Sequence, residues 1–333
     1  MAHVDLPLDQ LRSFTPDVAV PPDFDEFWER TLTEARDAAG DVDVTPVDSG
    51  LAHVDVFDVT FPGFGGHPVK AWYARPSGDD RHLPCVVEIA GYGGGRGLAF
   101  EHTLWPAAGY AYLIIDTRGQ GSAWGAGGET PDPVGSTAAM PGYMTRGILD
   151  PEQYYFRRVI TDAVLAVDTA RVLPGVDGAR VAFKGASQGG GIAIAVAGLV
   201  PDLMAVMPDV PFLCHFERAV SLADTMPYAE IRQYLSVHRG ASEQAFQTLS
   251  YVDGVNFSKR GVAPSLWSIA LMDETCPPST CFAAYNSYGE RAGGAPKSLE
   301  IYRYNGHEGG GAHQLARQIE FLKGVLEDGA PPR

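Results

Sequence analysis

Short apolar runs punctuate this chain: PCVVEIA, AYLIID, RVAFKG, MAVMPDV, LWSIALM and LEIYRY. They lack the alternation of a half-exposed strand, so each reads as a strand buried on both faces, which requires helices on both sides of the sheet. Helix-length stretches lie between them, among them EQYYFRRVITDAVLAVDTARVL, and AHQLARQIEFLKGVLE reads as the last helix. The order of elements predicts an α/β architecture with a mostly parallel central sheet flanked by helices.

Two regions depart from that rhythm. Ahead of it, PDFDEFWERTLTEARDAA (22–39) spaces Phe24, Phe27, Trp28 and Leu32 as an amphipathic helix, and 51–75 alternates apolar and polar residues around FPGFGG, the pattern of an antiparallel hairpin. Between Pro211 and Arg260 the chain reads as helical material with no strand, an insertion placed to cap a cleft. Large sheets of this kind run to such lengths as one unit, so the expected organisation is a single domain over 1–333. Within it, 1–50 is an N-terminal extension, 211–260 is the helical insertion and the tail DGAPPR is frayed.

Acidic residues outnumber basic ones by 41 to 25, a formal charge of -16. That balance argues against nucleic acid, whose affinity rests on Lys and Arg contacts to phosphate, and favours a neutral small molecule. No run approaches the roughly 20 apolar residues of a membrane span, and MAHVDLPLDQLRSFTPD lacks the pattern of a signal peptide, so a cytoplasmic location is expected. Cys85, Cys214, Cys276 and Cys281 show no CxxC spacing and are expected to be buried thiols. The sequon at Asn256 is read as chance.

Gly185-Ala186-Ser187-Gln188-Gly189 fits G-x-S-x-G, and it follows the apolar RVAF and precedes the helix-compatible GGGIAIAVAGLV. That strand-turn-helix context is what the motif needs, because a strained turn exposes the serine and leaves no room for flanking side chains. The α/β-hydrolase fold is therefore the expected fold class, with Ser187 as nucleophile. A Gly-rich turn with an incidental serine is the competing reading.

A serine hydroxyl needs a base, and the base needs a partner to fix its tautomer; in this fold they follow in the order Ser, acid, His. Of the histidines after Ser187, His307 follows the run LEIYRY and precedes the last helix, which makes it the expected base, with His313 as fallback. LWSIALM runs into Asp273 and Glu274; Asp273, nearer the strand end, is the expected acid and Glu274 the alternative. Backbone N–H groups must hold the oxyanion: Gln188 follows the nucleophile, and Tyr92 stands in the glycine-rich Gly91–Gly97 loop after CVVEIA. That loop lacks the Lys-Ser/Thr ending of a phosphate loop, and His307-Glu308-Gly309-Gly310-Gly311-Ala312-His313 lacks the HExxH spacing, so neither a cofactor nor a metal is expected. Arg118-Gly119-Gln120-Gly121 follows AYLIID as a turn whose Arg118 could be structural or could face substrate.

The combination RGQGS, GASQGGG and YNGHEGGG, with DVPFLCHF, GYMTRGILDP and CPPST between, resembles carbohydrate esterase family 7, the acetyl xylan esterases and cephalosporin-C deacetylases. The resemblance runs from DLPLDQL to FLKGVLE. It implies Ser187, Asp273 and His307 as the triad, the backbone of Tyr92 and Gln188 as oxyanion donors, and a site-ordering role for Arg118, Gly119, Gln120 and Gly121. It further implies deacetylation of acetylated xylo-oligosaccharides and cephalosporin C without a cofactor, in a homohexamer. Gly93 and the loop GAGGETPDPVGSTAAMPGYM depart from the family pattern, which bears on substrate preference and leaves the triad untouched. The alternatives are another hydrolase of this fold, such as a dienelactone hydrolase or an oligopeptidase-like enzyme, or a non-catalytic binding protein.

Overall fold

A computed structural model describes residues 5–135 and 138–327 of the chain. The expected fraying of DGAPPR lies outside the described residues.

Among the described residues, one mixed sheet of nine strands organises the molecule. The chain enters through a single helical turn, α1 (Leu8–Leu11), and the amphipathic helix α2 (Phe24–Asp37). It then forms β1 (Asp43–Val47), β2 (Val54–Pro62) and β3 (Pro68–Pro76), paired antiparallel. The expected hairpin is β2–β3. β1 escapes a pattern-based reading because DVTPV is largely exposed and carries Pro46; as an edge strand it needs no second ladder, and a proline is tolerated there.

The parallel part comprises β4 (Leu83–Ile89), β5 (Ala111–Ile115), β6 (Val176–Ala186), β7 (Ala205–Asp209), β8 (Ser265–Ala270) and β9 (Lys297–Tyr302). Spatially the order is β1-β2-β3-β5-β4-β6-β7-β8-β9. Every residue of β5, β7 and β8 is buried, as their unbroken apolar character requires. Helices α3 (Leu104–Ala107), α4 (Tyr155–Val172), α5 (Gln188–Leu199), α10 (Pro278–Ser287) and α11 (Gly311–Glu327) connect or follow these strands. The fold is of the α/β-hydrolase type.

Between β7 and β8 the chain is helical, with α6 (Phe216–Leu222), α7 (Tyr228–Val237), α8 (Ser242–Ser250) and α9 (Gly254–Ser258). The N-terminal helix docks on this material: Trp28 donates from Nε1 to the Tyr251 carbonyl at 2.9 Å, and its ring meets Phe257 edge-on at 5.4 Å. Burying each such aromatic contributes about 1.5–3 kcal/mol, which fixes α2 to the body. All four cysteines are free and buried. Asn256 is fully buried and donates to the carbonyls of Ala19 and Ser250, a position closed to any sugar-transfer enzyme. Among the described residues no helix is long and apolar enough to cross a membrane.

The topology decides where chemistry can occur. The loops after β4, β5, β6, β8 and β9 all leave the carboxyl ends of parallel strands, and β4 lies directly against β6, with Ile89 paired to Gly185. The Gly91 loop and Ser187 therefore emerge side by side, where open α/β sheets hold their ligands.

Candidate active site

Ser187 occupies a turn that its neighbours enforce. Its φ of 57° lies in the left-handed region, costly for a side-chain-bearing residue. Two hydrogen bonds hold it there: its N–H donates to the Asp209 carbonyl at 2.9 Å, and its carbonyl accepts from Phe212 N–H at 2.9 Å. Glycines at 185 and 189 are obligatory, since a methyl group on Gly185 would lie 2.4 Å from the Gly189 backbone and one on Gly189 would lie 2.3 Å from the Ile89 carbonyl oxygen.

His307 stands between Ser187 and Asp273. Its Nε2 is 2.9 Å from Ser187 Oγ and its Nδ1 is 2.8 Å from Asp273 Oδ2. Asp273 is fully buried, and its other oxygen accepts from the N–H groups of Thr275 (2.8 Å) and Cys276 (2.9 Å). A carboxylate so used only accepts, which places the ring proton on Nδ1 and leaves Nε2 free to take the serine proton. Glu308 braces the histidine loop by accepting from Asn305 Nδ2 at 2.6 Å and Gly306 N–H at 3.0 Å. The following glycine is also dictated by space, because a methyl group on Gly310 would run into the Tyr302 ring. His313 is exposed on the first turn of α11 and the backbone carbonyl of Glu274 accepts from Thr225, whereas His307 is hydrogen-bonded to both Asp273 and Ser187.

Among the described residues, no hydrogen bond occupies the backbone N–H of Tyr92 or of Gln188. Gln120 sits between their loops. Its Oε1 accepts from Gly93 N–H at 2.6 Å, and its Nε2 donates to Gln188 Oε1 at 2.8 Å and to the Tyr155 hydroxyl at 3.0 Å. Gly119 and Gly121 adopt φ of 71° and 103°, and Gly121 N–H donates to the Gly93 carbonyl at 3.2 Å, so this turn carries the loop of Tyr92.

Arg118 does not reach the triad. It is fully buried, gripping Asp162 through Nε and Nη2, both at 2.6 Å, with Asp132 3.6 Å from its Nη1. Arg158 closes the cluster on Asp132 at 2.7 Å, giving two cations and two anions in a closed interior set.

Glu230 and Trp124, both bonded to Tyr92, carry no sequence signal of their own. Tyr92 donates its hydroxyl to Glu230 on α7 at 2.6 Å and accepts from Tyr143 N–H at 2.6 Å, while Glu230 also accepts from Met144 N–H at 3.0 Å. Burial pushes the Glu230 carboxyl and the Tyr92 hydroxyl above their ordinary ranges. Trp124 donates from Nε1 to the Tyr92 carbonyl at 2.7 Å. Cys276 lies beside the triad, its thiol held protonated by burial. Ligand atoms of Asp273, Cys276 and His307 fall within 4.8 Å of one another, a grouping able to hold a metal ion, although His307 is already engaged by Asp273 and Ser187.

A serine at a strained strand-to-helix turn, a histidine on its hydroxyl and a buried aspartate behind the histidine define a hydrolase of the α/β-hydrolase class. The family model of acetyl xylan esterase (AXE1) matches residues 1–325. The chain belongs to the acetyl xylan esterase family, a family of carboxylic ester hydrolases. It is similar to an acetyl xylan esterase from Paenibacillus sp. R4 (39% identity, TM-score 0.89, 96% of this chain and 99% of that one). A second similar structure is acetyl xylan esterase 1 from Thermoanaerobacterium sp. JW/SL YS485 (32% identity, TM-score 0.86, 96% and 99%). The acetyl esterase Axe7A of Xylanibacter ruminicola is 27% identical over 86% of this chain, which spans 63% of that relative's length.

Proposed function

We propose that this protein hydrolyses acetyl esters of xylo-oligosaccharides through an acyl-enzyme on Ser187. The observation that carries the reading is the continuous relay from Ser187 Oγ to His307 Nε2, and from His307 Nδ1 to Asp273 Oδ2, at 2.9 and 2.8 Å.

In the first half-reaction Ser187 Oγ attacks the acetyl carbonyl carbon while His307 Nε2 takes its proton. Asp273 steadies the imidazolium so formed. The carbonyl oxygen gains the negative charge, and the N–H groups of Tyr92 and Gln188 meet it. As the intermediate collapses, His307 returns the proton to the departing sugar oxygen. Water, deprotonated by the same nitrogen, then attacks the acetyl-serine and releases acetate. Gln120 keeps the two N–H donors in register, and Arg118 orders the underlying structure from a distance.

Cephalosporin C carries an acetyl ester of a primary alcohol and falls within the same chemistry. A cytoplasmic location and a homohexamer belong to the same proposal, by family resemblance. The test is acetate release from acetylated xylo-oligosaccharides and from cephalosporin C. Acetate from both supports the full reading; cleavage of lactones or amides with no acetate from either would overturn it.

A further inference from the structure

Trp124 is 55% exposed, yet it is not a loose surface ring. Its Nε1 is tied to the Tyr92 carbonyl at 2.7 Å. Its benzo edge lies so close over the glycine loop that a methyl group on Gly94 would approach it to 2.4 Å. A methyl group on Gly91 would lie 3.5 Å from the same edge and 3.9 Å from Ser187 Cβ, so indole and nucleophile flank a single glycine. A methyl group on Gly93 would come within 2.6 Å of Ala123, next to the tryptophan. Bare backbone in this loop thus makes room for a fixed indole whose remaining surface faces solvent beside the nucleophile.

Single exposed apolar rings are ordinary on a protein surface; what sets Trp124 apart is that it is fixed beside the nucleophile with a face left open. An indole offers a flat, electron-rich face, and its natural complement is a saturated ring with weakly positive C–H groups on one face. A pyranose ring presents such a face, and xylose, with no exocyclic hydroxymethyl group, leaves it unobstructed. We infer that Trp124 is the platform on which a sugar ring of the acetylated substrate stacks while the acetyl carbonyl lies over Ser187. The inference rests on the proposed acetyl-xylan reading and adds the residue that would recognise the carbohydrate.

Kinetics on the full chain separate the platform from the brace on Tyr92. Trp124→Phe keeps a flat ring but loses the bond to the Tyr92 carbonyl; Trp124→Ala loses both. For acetylated xylotriose, Trp124→Ala is expected to raise KM about ten-fold relative to Trp124→Phe, as loss of one buried apolar face predicts. For ethyl acetate, whose leaving group has no ring, the two variants should match each other within about two-fold. Equal KM values for the two variants on xylotriose, or the same Ala-to-Phe gap on ethyl acetate, would overturn the platform. So would a change of oligomeric state in Trp124→Ala alone, since the ring would then cover another subunit. A wild type that hydrolyses ethyl acetate but releases nothing from acetylated xylotriose removes the substrate reading, and the platform with it.

Discussion

Gln120 donates from Nε2 to Gln188 Oε1 at 2.8 Å while its Oε1 accepts from Gly93 N–H at 2.6 Å. One buried amide thus spans the loop after β4 and the start of α5, which carry the two N–H groups proposed to hold the oxyanion. That link is made by a side chain that hydrogen-bonds neither the nucleophile nor the histidine.

Gln120→Ala is therefore expected to lower kcat by about 10- to 100-fold, less than or similar to the loss of one oxyanion donor. KM should stay within about three-fold, because ground-state binding does not depend on the developing charge. Steady-state kinetics on a short acetyl ester check this; a variant changed only in KM would assign Gln120 to substrate binding instead.

Tyr92→Phe removes the donor to a buried Glu230 and the acceptor for Tyr143 N–H. Leaving Glu230 Oε1 and Tyr143 N–H without these partners, while Glu230 Oε2 keeps Met144 N–H, costs about 1–3 kcal/mol. Urea unfolding should show this as a lower midpoint at unchanged slope. An unchanged midpoint would mean that water takes over both partnerships.

The cluster of Arg118, Asp162, Asp132 and Arg158 makes a sharper demand. Asp162→Ala removes both short bonds to the buried Arg118 guanidinium, leaving it only Asp132, at 3.6 Å, as an anionic partner, and also frees Phe64 N–H, which donates to Asp162 at 2.8 Å. Removing one partner of a buried pair costs about 3–5 kcal/mol. A loss under about 1 kcal/mol by denaturant titration would contradict a closed, desolvated cluster.

His215 sets an acid-side dependence of stability. Burial, and then the nearby Arg218, push its ring from the ordinary histidine range down to about 4. The His215 backbone N–H donates to the buried Asp253, and Phe14 stacks on the ring. A base with a lowered folded-state pKa binds its proton less readily in the folded chain, so stability is lost as pH falls from about 6.5 towards 4. His215→Asn tolerates the left-handed backbone at φ 47° and removes the titrating group. Its unfolding free energy should fall less steeply than wild type across that window, by on the order of 1–2 kcal/mol, since the ring keeps some contact with solvent. Parallel curves would place the acid sensitivity elsewhere.

What could be read from the sequence follows from the range of the signals. The strands, the β2–β3 hairpin and the turn at Ser187 are local patterns of apolar residues and glycine, and they lie where those patterns place them. The expected burial on both faces fails for LEIYRY, whose strand β9 is the sheet's edge and has no fully buried residue. The order of serine, acid and histidine needed only strand ends, and the structure brings Ser187, Asp273 and His307 together. Gln120 was legible only as part of a turn. Its partners stand at residues 93 and 188, and nothing in RGQGS reveals that the amide faces both. Glu230 and Trp124 are more extreme cases. An acid on a helix and a tryptophan in a glycine-rich loop look like ordinary surface residues until the fold brings them to Tyr92 from opposite directions along the chain. Arg118 was open between a structural and a substrate-facing role, and its complete burial against Asp162 gives the structural one.

The central claim is that Ser187 is the residue acylated in turnover, and active-site labelling tests it most directly. Wild-type protein treated with a p-nitrophenyl phosphonate, digested and analysed by mass spectrometry should carry one adduct, on the peptide containing Ser187. Labelling and acetate release should both vanish in a folded Ser187→Ala variant. An adduct on another residue, or full acetate release by that variant, would contradict the account.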